Sequence, residues 1–183
     1  MGNRILLYAA FCLCACGTPA YADDFAEFKK EFQSAGYGEK LQILGKISAD
    51  DKNALKKAAV FLCDPNPKIR QKTIDWLAQK KSDAATGEFL VSEIVRKKDV
   101  PDYARCAGIN ALGAINVASQ KSVLIELLND KNCLLRAEAV NTLCASYKGG
   151  DVLDAIRAKL SDPSYQVKTA AIDAIKQIAP AEL

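Results

Sequence analysis

The chain has 183 residues, half of them hydrophobic and 26% charged, with only 10 Gly and 6 Pro, which excludes a disordered chain and supplies a core. Basic residues outnumber acidic ones by 25 to 22, and a net charge of +3 is too small for a general polyanion binder. With no histidine, the chain holds no Ser-His-Asp triad, Cys-His dyad or His-ligated metal centre.

Residues 1–22 read as an export signal. Arg4 precedes an apolar run from Ile5 to Ala15, which is shorter than the ~20 residues that cross a bilayer. Gly17 and Pro19 break any helix, and Ala20-Tyr21-Ala22 offers small residues for cleavage before Asp23-Asp24. The expected location is the periplasm or the outside of the cell. A rival reading uses Leu13-Cys14-Ala15-Cys16, which resembles the lipobox of bacterial lipoproteins. It makes residues 1–15 the signal, Cys16 the lipidated first residue and the protein an outer-membrane lipoprotein. The length after the apolar run and the acidic start favour cleavage after Ala22, and both readings take the chain out of the cytoplasm. That cleavage leaves a net charge of +2 and four cysteines, Cys63, Cys106, Cys133 and Cys144, in a compartment that permits disulfides.

Next in the chain, residues 23–47 form a degenerate capping unit. Its Leu41, Leu44-Gly45 and Ile47 share the register of Ile109, Leu112-Gly113 and Ile115, and Glu31 and Tyr37 hold the marker positions. Ser48 and Asp51 have the spacing of a helix N-cap pair. Four units then fill residues 48–183. Each has a first apolar helix, in turn within residues 55–62, 89–95, 123–128 and 152–160, then an aspartate (Asp64, Asp99, Asp130, Asp162) and, six residues on, a base (Arg70, Arg105, Arg136, Lys168). The bases are spaced by 35, 31 and 32 residues. Four residues after each base come Ile74, Ile109, Val140 and Ile172, and seven after come Leu77, Leu112, Leu143 and Ile175, the spacing of one buried helical stripe. Breaks are expected at 80–86, 116–119 and Gly149-Gly150.

Asp64-Pro65 with Ile69-Arg70, and Asp162-Pro163 with Val167-Lys168, resemble HEAT repeats, and the closest variety is the HEAT-like type also found in phycobilin lyases. The resemblance covers residues 23–179. It implies an all-α fold, a right-handed α-solenoid of about five helical hairpins, whose second helices line a concave face that binds a partner protein. A chromophore or small-ligand carrier or lyase is the alternative that it raises.

The series Asp64, Arg70, Asp99, Arg105, Asp130, Arg136, Asp162 and Lys168 is expected to be a structural charge ladder within or between units. On the concave face Gln71, Asp75, Asn110, Gly113, Ala137, Asn141, Thr169 and Asp173 would floor a groove for a partner protein. Trp76 is expected to pack between units. The lysines of the N-terminal half are interleaved with acids and lack stacking aromatics, so they read as a solvated face and not as a nucleic-acid site. No phosphate loop, CxxC or paired-carboxylate motif appears, so neither catalytic residues nor cofactors are expected. Membrane contact would come only through a lipid on Cys16. Cys106 and Cys133, near equivalent turns of adjacent units, are the expected disulfide, with Cys144 free in the small-residue row.

Overall fold

The computed structural model describes residues 19–48, 51–80, 82–147 and 149–180. The expected signal peptide up to residue 18, with Cys16, lies outside them. Helix α1 (Pro19–Ser34) starts on a proline, whose fixed φ and missing N–H suit a first helical turn, so Pro19 opens a helix where a break was expected. Its Phe25, Phe28 and Phe32 share one buried face, Phe25 stacking on Phe28 at 5.9 Å while Phe28 and Phe32 meet Phe61 across ring-centroid distances of 6.0 and 4.8 Å. Helix α2 (Tyr37–Lys46) follows Gly36, whose N–H donates to the Glu39 carboxylate at 2.7 Å.

Helix α3 (Ala54–Leu62) begins after Asn53, later than the Ser48 and Asp51 pair suggested. Asp51 Oδ1 instead accepts from the Asn53 N–H at 2.7 Å, shaping the turn ahead of the helix. Helix α4 (Pro67–Leu77) has Asn66 as its N-cap, accepting from the Lys68 N–H at 3.0 Å. Helix α5 (Ala84–Leu90), capped by Asp83, widens into a π-helical turn over Val91–Val95. Helix α6 (Asp102–Ile115) stops at Asn116, which takes the left-handed φ of 51° that asparagine tolerates. After a 3-10 turn come α7 (Lys121–Leu127) and α8 (Cys133–Ser146), and then α9 (Gly150–Arg157) and α10 (Tyr165–Ile178).

These ten helices pair as five hairpins, and among the described residues there is no strand. The second helices pack in chain order, α2 on α4, α4 on α6, α6 on α8 and α8 on α10; among the first helices, α1 meets α3 and α3 meets α5. The fold is thus an α-solenoid of helical hairpins. One apolar core runs from Ala58 to Ile175, a second joins α1 and α2 to α3, and Trp76 touches both, as its expected place between units requires. The predicted stripe is buried at Ile74, Ile109, Val140, Leu77, Leu112, Leu143 and Ile175. Ile172 is the correction: it is 37% exposed, because no further described helix lies beyond α10.

Candidate interaction surface

The turn side of the stack is built around aspartates that do two jobs. Asp64, Asp130 and Asp162 each accept, through Oδ1, from the backbone N–H two residues ahead, at 2.8 Å, which closes the turn into the second helix. Each carboxylate also meets a cation from the unit before. Lys40 donates to Asp64 at 2.7 Å, Arg105 lies 3.6 Å from Asp130, and Arg136 grips Asp162 with two bonds of 2.7 and 2.8 Å. The guanidinium groups also tie their own hairpins: Arg70 donates to the carbonyls of Asp64 and Pro65, Arg136 to those of Asp130 and Lys131, and Arg105 to that of Val95. The bonds from Arg136 hold the Asp162 carboxyl below the usual carboxylate range, against the opposing effect of burial.

The ladder therefore runs between units and departs from the expected series in two places. Asp99 is exposed and outside it; it lies 29 residues after Arg70, whereas the bonded cation and aspartate are 24 to 26 apart. Tyr103 takes its place, with its ring 4.8 Å from the Arg70 guanidinium and its hydroxyl donating to the Cys63 carbonyl at 3.2 Å. In the capping unit the base is Lys40 and not a residue at the position of Tyr37. Counting from each base to the next unit's aspartate would have found Lys40; nothing in the sequence pointed to Tyr103.

The expected groove divides. Gln71, Asp75, Asn141 and Asp173 are exposed, and Asn110 and Thr169 are half-buried. Gly113 and Ala137 are buried and do not floor an open groove. The reason is rotational: Gly113 and Cys144, eight after their bases, and Cys106, one after, turn toward the next unit's helix, so small residues there let second helices approach, while Gln71 stays exposed. A Cβ on Gly113 would stand 2.5 Å from Thr142 Cγ2 on α8. Cys144, at the same offset, has its Sγ 3.4 Å from Gln177 Oε1 on α10, inside the seam and not in a groove.

Sequence reading also missed Glu138, half-buried on α8 where it meets α6. Burial pushes its carboxyl up, opposed by a hydrogen bond from Asn110, whose Oδ1 accepts from Thr142 at 3.1 Å. Burial, with Glu138 and Asp102 nearby, pushes the Cys106 thiol up to about 11. In the structure no disulfide joins Cys106 to Cys133, and Cys63, Cys106, Cys133 and Cys144 are all half-buried. Cys133 is the first residue of α8 at the turn, while Cys106 lies a turn into α6 beside Glu138. Helix α8 holds both Cys133 and Cys144, and the rise of the helix between them keeps that pair apart.

Two open hollows of about 220 and 260 Å³ lie on the first hairpin, edged by Asp24, Glu27, Glu31, Glu39, Lys46 and Asp51 and away from the second-helix row. No group of side chains suited to a metal ion occurs among the described residues.

A search of curated proteins finds no match to the chain. The family model described as HEAT repeats matches residues 121–182, which contain α7 to α10. The last two hairpins are thus similar to HEAT repeats, and the hairpins before them pack in the same order.

Proposed function

We propose that the chain is a non-enzymatic scaffold, exported to a bacterial cell envelope, that holds a partner protein along its layer of second helices. HEAT repeats generally mediate protein–protein interaction. The observation that carries the reading here is the exposed row of Asp75, Asn141 and Asp173, at one register position of stacked helices, edged by Gln71 and Thr169. Short polar side chains on such a layer offer hydrogen bonds to an extended segment or a helix without the desolvation cost of a deep pocket. Gln71 already donates to Asp75 at 3.0 Å, which fixes that carboxylate in place.

The test is capture from envelope extract, with the protein purified from the same compartment. A partner recovered by the wild type and lost with Asp75→Lys and Asn141→Lys combined supports the scaffold reading; undiminished recovery refutes the assigned face. The intact mass of that material reads the export signal as well. A start at Asp23 fits cleavage after Ala22, a lipid on Cys16 fits the lipoprotein, and retention of Met1 throughout counts against export. A coloured or ligand-bearing protein would favour the carrier reading that the resemblance to phycobilin lyases raises.

A further inference from the structure

The two ends of the stack differ. At the first hairpin the outer residues of α1 are polar, with Asp24, Glu27, Lys30 and Glu31 exposed, as a capping unit requires. At the last hairpin Ile172, which is 37% exposed, stands at the register position where Ile74, Ile109 and Val140 are each buried. Tyr165, one helical face below it, is 81% exposed, and Leu160 is exposed on the 3-10 turn that closes α9. Lys168, the ladder base of this unit, pairs with no carboxylate among the described residues, whereas Lys40, Arg105 and Arg136 each reach the aspartate of the next unit. The face of α10 therefore continues the seam that joins the preceding second helices, and it has no cover among the described residues.

Which occupant fits follows from the order of residues along α10. Tyr165, Thr169, Ile172 and Lys176 recur at alternating steps of four, three and four, one seam of a heptad pattern. Lys168 and Asp173 flank that seam on opposite sides, five residues apart. When two such helices lie parallel about a two-fold axis, a flanking residue on one meets the residue five positions later on the other flank of its partner. Lys168 of each copy then faces Asp173 of the other, twice over, with Ile172 against Ile172 and Tyr165 against Tyr165 between them. Asp173 is available for this, since its only ion pair among the described residues is a solvent-exposed one with Lys176 at 3.8 Å.

We propose that a second copy of this chain covers this face, α10 packing parallel against α10 to give a tail-to-tail two-fold dimer. The seam is one helix of 14 residues, at the small end of specific interfaces, so association appears only at high protein concentration. This goes beyond the scaffold reading: the dimer takes up Asp173 and Thr169 of the last unit and leaves Asp75 and Asn141 of the second-helix row open. Sedimentation velocity on the full chain, in reductant to keep disulfides from linking copies, over a series from micromolar to near-millimolar, tests it. The wild type is expected to pass from monomer to dimer. Ile172→Glu and Tyr165→Ala, both at exposed positions, are expected to keep the helical circular-dichroism spectrum and lose the dimer. Lys168→Glu is expected to lose it too, and adding Asp173→Lys to restore it. A wild type that stays monomeric throughout, a dimer that survives both Ile172→Glu and Tyr165→Ala, or a double charge reversal no better than the single one overturns the proposal.

Discussion

Asp162 joins two units through one carboxylate, since its Oδ1 closes the turn ahead of α10 while Arg136 on α8 donates to both oxygens. Both side chains are nearly buried, so Arg136→Ala leaves a carboxylate short of donors in a site with little water. The expected cost at neutral pH is about 1.5–3 kcal/mol, the range for hydrogen bonds to charged groups. The sign of its pH dependence follows from the lowered carboxyl: the unfolded chain takes up the proton first as pH falls below the ordinary value of 3.8. The stability from this bond is therefore complete above that value and is lost as pH falls through the folded one. Urea unfolding of wild type and Arg136→Ala should show a gap at pH 7 that narrows toward pH 3; an equal gap at both would assign the effect to the turn carbonyls that Arg136 also binds. This residue-level pattern was half legible. Spacing within a unit marked Asp162 and Arg136, but the bonded partner is set by stacking, which a count confined to one unit does not reach, and so Lys40 and Tyr103 were missed and Asp99 was wrongly included.

Gly45 and Gly113 share a register in the sequence and play different parts in the helices. On α6, Gly113 lies against α8, and a Cβ there would also meet Ser146 Oγ at 2.8 Å. On α2, Gly45 has nothing within 4 Å of an added Cβ. Gly113→Ala is expected to cost ~1–3 kcal/mol through overpacking of the α6 and α8 seam. Gly45→Ala is expected to gain ~0.5–1 kcal/mol, because alanine loses less backbone freedom on entering a helix. Thermal melts of the two variants should move in opposite directions, and a drop for both would mean that α2 is packed as tightly as α6. Helix periodicity and breaks were readable because apolar spacing and residues such as Asn116 and Gly149 act locally. Whether a small residue faces solvent or a neighbouring helix depends on how far each hairpin rotates on the next, and this moved Gly113, Ala137 and Cys144 out of the expected groove.

At the scale of the whole molecule, the hairpins make one body because each buried stripe is continuous with the next, from the phenylalanines of α1 through Trp76 to Ile175. Repetition made that architecture legible in the sequence. The functional face was less so: only the row five residues after each base keeps exposed side chains in most units, and the half-buried cluster of Glu138, Asn110 and Cys106 had no sequence signal. The central claim is that this second-helix layer, and not the layer of first helices, holds the partner. Photo-cross-linking tests it most directly, with a photoreactive residue placed in turn at Asp75 and Asn141 on second helices and at Glu88 and Ser122, exposed on α5 and α7. The account predicts one common cross-linked protein from Asp75 and Asn141 and none from Glu88 or Ser122. Cross-links confined to Glu88 and Ser122 would contradict it.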